Sequence, residues 1–409
     1  MYKHDEILHL DFESSSLCNA LCPVCNRREQ GGKKNPRYKE TYISLEQFKK
    51  YFSVEFLTQL YGMSLCGNYG DAMTNPELID ILKYTKSINP NIRITMNSNA
   101  SGRNATFWYE LGQIIGTNGH MTFSVDGLED TNWIYRRGTH WNKIMTAMEN
   151  YIAGGGHARW EFLVFKHNQH QIEDAKILAK KIGIQDFFSK KALGFVDSVV
   201  EGNAQSSLAV FNESGTKDYE LHPPSDGNSN EIINKYIKQS SFKRIDGEDT
   251  DSPEKILQTI RFTKTNPSGE YTHKYELDEN RPLTEHEKKL GNTRIDCMVI
   301  KPKSIFVSSE GLVFPCCMTA SKLYAFPDEE TVQLQKFIDD FGKERISLEH
   351  TKLEDIINGP MFQTHWPDNW KDNNINNKRL RTCSIFCGKD TNQEFNATMK
   401  SIKKKESYA

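Results

Sequence analysis

The chain has 409 residues, a formal net charge of −2 and 37% hydrophobic residues, so it exceeds one average domain and leaves some segments outside any core. That charge, with no basic run interleaved with aromatics, excludes an electrostatic footprint for nucleic acid, and no apolar run approaches the ~20 residues that span a bilayer. The N-terminus lacks the basic-then-apolar order of a signal peptide, and nine cysteines without an export signal point to a reducing compartment, the cytoplasm, where thiols ligate metal more often than they pair.

The first predicted element is a strand over Ile7 to Phe12, an apolar-alternating run. Cys18, Cys22 and Cys25 follow it at C-x3-C-x2-C spacing. Three thiolates on one loop can hold three irons of a [4Fe–4S] cube, and because such clusters usually take four cysteines, one iron keeps an open position. Cys22-Pro23-Val24-Cys25 alone suits a zinc or redox pair equally well. The third cysteine favours the cluster.

Arg27 to Lys39, rich in Gly, Lys, Arg and Asn, reads as an exposed loop. Ser44 and Gln47 form a capping box for a helix with Leu45, Phe48, Phe52, Phe56, Leu57 and Leu60 along one stripe. Met63 to Cys66 is the second strand and ends in Gly67-Asn68-Tyr69-Gly70-Asp71. A helix over Pro76 to Ser87 leads to a third strand, Ile92 to Met96, which runs into Asn97-Ser98-Asn99. Then come a helix over Ala105 to Ile115 and a fourth strand, Met121 to Val125, before Asp126-Gly127. Asn142 is the expected cap of the next helix, and Gly154-Gly155-Gly156 its C-terminal turn rather than a phosphate loop, since it closes a helix. A fifth strand over Trp160 to Phe165, a helix over Ile172 to Ile182 and a weaker sixth strand over Ala192 to Val196 complete the alternation.

Strands alternating with helices predict a parallel sheet. Five or six such units suit an α/β fold of the partial (β/α)6 TIM-type barrel kind, residues 1–198, with an open doubly wound sheet as the alternative. Residues 199–290 are polar, carry Pro223-Pro224 and two short helical patterns (Ile232 to Ile237, Pro253 to Thr263), and read as an insertion or linker. Residues 291–395 hold a second cysteine group, and 396–409, with Lys403-Lys404-Lys405, a polar tail.

The cysteine loop after the first strand resembles the radical S-adenosylmethionine (SAM) enzymes. The resemblance implies that the open iron chelates SAM and that an electron through the cluster splits the sulfonium to a 5′-deoxyadenosyl radical, which abstracts a hydrogen atom from substrate. It further implies a SAM site at the carboxyl ends of the strands. Gly70 and Asp71 fall where the family has a Gly-Gly-Glu-Pro-like loop, although Asp71 and Ala72 replace Glu and Pro. Asn97 stands where Thr-Asn-Gly is frequent, and Ser124-Val125-Asp126-Gly127 resembles Ser-x-Asp-Gly. Arg136 and Arg137 are both candidates for the family's SAM-binding arginine, whose fork suits a carboxylate, and Gly138 favours Arg137.

In the C-terminal part, Cys297 precedes two β runs, Ile305 to Val307 and Leu312 to Pro315, joined at Gly311 as a hairpin, and Cys316-Cys317 follow. With 13 residues between Cys297 and Gly311 and four between Gly311 and Cys316, the run is similar to the opening of the auxiliary-cluster domains called SPASM and twitch. Cys383 and Cys387 would complete four thiolates for an auxiliary [4Fe–4S] cluster. Five cysteines after Gly291 favour the single-cluster twitch kind over the seven-cysteine SPASM kind. Cys317 is surplus: it is the alternative to Cys316 as a ligand, a participant in chemistry, or a buried small apolar residue; Cys66 reads as core, and a four-cysteine zinc site is the alternative for the group.

The resemblance implies a smaller C-terminal β-hairpin-containing Fe–S domain, a flavodoxin or ferredoxin as electron donor, and a substrate that is a peptide or protein side chain, with a sugar- or nucleotide-like small molecule as the alternative. A non-enzymatic zinc-binding interaction protein is the rival from another class. No residue stands out in the sequence as a general base.

Overall fold

The computed structural model describes residues 1–192, 195, 207–225, 281–325, 328–376 and 378–389. Six strands, β1 (His9–Phe12), β2 (Gly62–Leu65), β3 (Arg93–Ser98), β4 (His120–Ser124), β5 (Ala158–Val164) and β6 (Asp186–Lys191), lie side by side in chain order and all parallel. Parallel neighbours need long crossovers. Helices α1 (Leu45–Tyr51) and α2 (Val54–Gln59), α3 (Leu78–Ile88), α4 (Ala105–Ile115), α5 (Asn132–Tyr135) and α6 (Trp141–Ala153), and α7 (Ile172–Ile182) supply them.

The strands have two unlike faces. On β5, Ala158, Trp160, Phe162 and Val164 are buried while Arg159, Glu161 and Leu163 are half-buried. On β3, Ile94 and Met96 are buried while Thr95 is half-buried and Asn97 exposed. The apolar face is covered by the helices. The other face, which carries Asp11, Ser64, Thr95, Thr122 and Glu161, is polar and partly open. The sheet does not close, because β6 and β1 are not neighbours.

The far side of β1 is taken instead by β9 (Ser304–Val307), which follows the antiparallel pair β7 (Leu208–Phe211) and β8 (Lys217–Leu221) in the chain. β9 runs parallel to β1, and β10 (Val313–Phe314) folds back antiparallel on β9, giving the order β10-β9-β1-β2-β3-β4-β5-β6. The C-terminal hairpin therefore lies on the barrel sheet itself. Its residues Ile305, Phe306 and Val307 share one apolar core with Leu10, Phe12 and the C-terminal Trp366.

Local chemistry accounts for the element ends. Ser44 and Gln47 make the predicted capping box, with Gln47 N–H to Ser44 Oγ at 3.1 Å and Ser44 N–H to Gln47 Oε1 at 3.0 Å. The single long helix expected there is two, since Ser53 caps a second start by accepting from Phe56 N–H at 3.2 Å. The apolar stripe survives the break: Phe48 and Phe52 pack on Phe12 with ring centroids 5.4 and 5.8 Å apart. Gly154-Gly155-Gly156 does end a helix, with Gly155 at φ +89°.

Several expectations shift. Asn142 lies inside α6, which starts after His140, whose N–H is held at 2.6 Å by Ser101 Oγ from a neighbouring loop. The sixth strand is Asp186–Lys191, just before the expected Ala192 to Val196, of which residues 193, 194 and 196 lie outside the described residues. A half-open edge strand needs no apolar alternation, so Asp186-Phe187-Phe188-Ser189-Lys190-Lys191 hid it. The 27–39 loop is not exposed throughout: Arg27 and Asn35 are buried, bonding the Ser16 carbonyl at 3.0 Å and the Tyr324 carbonyl at 2.8 Å. The start of the expected insertion is built into the fold, as β8 Tyr219 and Leu221 and β7 Val210 pack with Ile134, Tyr135 and Phe165. The helical patterns at 232–237 and 253–263 and the tail at 396–409 lie outside the described residues. No helix among the described residues is long and apolar enough to cross a membrane.

Phe306 is fully buried between hairpin and barrel. Phe306→Ala is expected to cost about 3–5 kcal/mol. In a urea titration followed by fluorescence it should displace one cooperative transition; two transitions with only one displaced would show that hairpin and barrel fold apart.

Candidate functional site

The loop that leaves β1 at its carboxyl end is tied down on several sides. Leu21 N–H bonds the Arg137 carbonyl at 2.7 Å, Asn19 Nδ2 the Ser101 carbonyl at 2.6 Å, and Arg27 Nη1 the Cys18 carbonyl at 3.3 Å. Cys18 and Cys25 are half-buried and Cys22 buried. Two of the three sulfurs face N–H donors. Asn99 Nδ2 is 3.6 Å from Cys18 Sγ, and Arg136 Nη1 is 3.8 Å from Cys22 Sγ. Burial pushes the Cys18 thiol up to about 12 and the Cys22 thiol up to about 11. Buried thiols of this kind ionise when a metal replaces the proton.

The two arginines part company here. Arg136 Nε sits 2.5 Å from Asp126 Oδ2, and although burial alone lowers its pKa, the Asp126 carboxylate and the Cys22 sulfur outweigh that and hold it charged. Arg137 is 3% exposed and turned the other way, onto Asp218 of β8 at 3.2 Å and the Phe211 carbonyl at 2.8 Å. Of the two candidates, Arg137 clamps the β7–β8 hairpin and Arg136 faces the thiol loop.

At the end of β2 the glycine-containing loop packs closely on the chain's own backbone. A Cβ on Gly70 would lie 2.2 Å from the Ser15 carbonyl oxygen, so the missing side chain admits the chain's own backbone. The amides of Asn68, Tyr69 and Gly70 all donate to the Glu13 carboxylate, at 3.0, 3.2 and 3.2 Å. Burial pushes the Glu13 carboxyl up to about 7 against the pull of those amides. Asp71 is 4% exposed and accepts from Asn99 N–H at 2.8 Å, Asn99 Nδ2 at 2.9 Å and Ser98 Oγ at 3.1 Å. Asp71 therefore orients Asn99, which in turn faces Cys18. Asn97 and Ser124 differ in being accessible, on the open face at the ends of β3 and β4. Glu13 was missed in the sequence; its signal is an acid at the end of an apolar strand, five residues before Cys18.

The C-terminal cysteines come together. Cys297, Cys316, Cys383 and Cys387 line one cavity, with Trp366 and Trp370 in its wall. Cys297 and Cys387 touch, and the hydrogen bond between them raises the first thiol and lowers the second. Thr319 Oγ1 lies 3.4 Å from Cys316 Sγ. Cys317 starts the helix Cys317–Tyr324 and does not line the cavity; it faces Asn68 and the acids Asp11 and Glu13. Cys66, read as core, is half-buried beside them, 3.3 Å from Asn68 Nδ2. Among the described residues no three Cys, His, Asp or Glu side chains converge as ligands of a single ion. A cluster requires no such convergence, since each thiolate takes its own iron.

No protein-family model matches this chain, and no curated protein matches it. Among solved structures, native anSMEcpe with bound AdoMet aligns over 97% of this chain and 95% of its own at 14% identity, with a TM-score of 0.44. Streptococcus suis SuiB bound to S-adenosylmethionine aligns over 76% of this chain and 60% of its own at 12% identity and a TM-score of 0.40. SuiB bound to the precursor peptide SuiA gives 79%, 61%, 12% and 0.42. The chain thus spans about three fifths of the length of SuiB, and the likeness is a loose one of chain path.

Two outcomes follow from the loop geometry. Gly70→Ala should lower stability by about 1–3 kcal/mol in thermal denaturation, because Ser15 is backbone and cannot swing aside; an unchanged Tm would mean the loop has room. Glu13, held above its ordinary 4.5, binds more protons folded than unfolded, so stability falls as pH rises from about 4.5 to about 7. Glu13→Gln removes that slope: between pH 5 and pH 8 the variant should gain roughly 3 kcal/mol on the wild type in urea unfolding. A pH-independent difference would show an ordinary carboxyl.

Proposed function

We propose that this chain is a radical SAM enzyme, in which Cys18, Cys22 and Cys25 hold three irons of a [4Fe–4S] cluster and the fourth iron takes SAM. The observation that carries the reading is a loop with three thiols at the carboxyl edge of a parallel sheet, two of them facing N–H donors. Such donors suit thiolates in a negatively charged cluster. When bound, the cluster and SAM supply reductive cleavage of the cofactor and hydrogen-atom abstraction from an unactivated C–H.

The chain's own residues do the holding. Arg136, braced by Asp126 and 18% exposed, stays charged beside Cys22 and offers its remaining donors to the SAM carboxylate. Asn97 and Ser124 present accessible polar groups on the same sheet edge for the rest of the cofactor. Gly70 and Asp71 act as positioning residues for the thiol loop rather than as contacts. The β7–β8 hairpin, through Val210, Tyr219 and Leu221, keeps water from the Cys22 side.

Cys297, Cys316, Cys383 and Cys387 are the proposed ligands of an auxiliary [4Fe–4S] cluster of the twitch kind. The proposed substrate is a peptide or protein side chain, as the resemblance to SPASM and twitch proteins suggests, reached across the open polar face of the sheet. A flavodoxin or ferredoxin is the proposed electron donor.

Protein purified without oxygen should be brown, with ~8 irons and ~8 sulfides per chain. On reduction with SAM it should release 5′-deoxyadenosine. Cys22→Ala should abolish that product and lower iron to ~4 per chain. Zinc in place of iron, or SAM cleavage by the variant, would sink the reading.

A further inference from the structure

We infer that Trp366 and Trp370 donate hydrogen bonds to the sulfurs of a cluster bound in the C-terminal cysteine cavity and thereby set its reduction potential. The inference rests on the auxiliary-cluster reading. Both residues belong to the helix Trp366–Lys371 and, four apart, share one of its faces. Both line the cavity bounded by Cys297, Cys316, Cys383 and Cys387. Each indole nitrogen is buried, and neither has a hydrogen-bond partner among the described residues.

An indole N–H donates and cannot accept, so another donor cannot satisfy it. Buried N–H groups without a partner are rare and cost the desolvation of the donor. Two of them on one cavity wall ask for an acceptor inside the cavity. Trp366 is only 1% exposed, and its ring is fixed against Phe337 with centroids 4.8 Å apart, so turning out to water is not open to it. Thiolates and sulfides of a cluster are acceptors that carry negative charge. A donor aimed at them stabilises the reduced form more, because that form carries one more electron. The two indoles therefore raise the potential of this cluster, not that of the Cys18 cluster.

The test is a redox titration of the reconstituted protein followed by electron paramagnetic resonance. The C-terminal signal is assigned as the one lost in Cys316→Ala and kept in Cys22→Ala. Trp366→Phe and Trp370→Phe, singly and together, should shift that signal's midpoint to more negative potential and leave the other signal in place. Benzothienylalanine at position 366, in which sulfur replaces the N–H on a ring of similar shape, should give the same shift as Trp366→Phe, and an unchanged midpoint with iron retained would count against the Trp366 N–H. Unchanged midpoints in the double variant with iron content intact would overturn the inference while the auxiliary cluster stands. Zinc, or only ~4 irons, in the wild type would overturn both.

Discussion

Strand β1 is hydrogen-bonded in parallel on both sides, and the two cysteine groups depend on that. Leu10 faces Met63 of β2 on one side and Ile305 of β9 on the other. The thiol loop leaves the carboxyl end of this strand, and the β9–β10 hairpin delivers Cys316 from the strand beside it. Residues about 300 positions apart in the chain are thereby referred to the same ladder. Phe12, Phe306 and Trp366 lie in one core, so packing reinforces what the ladder aligns. The two proposed clusters are a fixed distance apart because one strand belongs to both neighbourhoods.

Around this frame, buried carboxylates organise backbone rather than face solvent. Glu13 gathers three successive amides of the loop after β2, and Asp71 gathers Ser98 and Asn99 after β3. Removing either acceptor would orphan several N–H groups together. Asp126 does the same for Arg136 and the Leu163 amide, the latter at 2.6 Å. The carboxyl ends of β1, β2 and β4 thus each carry a buried acid, while Asn97, Ser124 and part of Arg136 remain accessible beside them.

Much of this was legible in the sequence where a local rule governs. The Ser44 box, the glycine turn after α6, α4 to the residue, and the existence of the first five strands follow from periodicity and capping. The two β runs joined at Gly311 read as a hairpin, and they form one. What was not legible is set by tertiary contact. Arg136 and Arg137 are adjacent and chemically alike; only Asp126 on one side and Asp218 on the other separate them. The close approach of Gly70 to the Ser15 carbonyl likewise depends on a contact between distant loops. Residues 208–221 look polar in sequence, yet Val210, Tyr219 and Leu221 give an apolar face only once folded into a hairpin over Cys22. The indole donors of Trp366 and Trp370 are invisible until the four cysteines surround the same space.

A sheet that does not close has two rims. Among the described residues one rim is β10, only two residues long, and the other is β6, where Asp186 and Lys190 interrupt any flat apolar stretch. Short or charged margins make poor templates for another chain's strand. The open architecture that leaves a polar face accessible therefore carries little tendency to grow by strand addition, and association of copies through these margins is disfavoured.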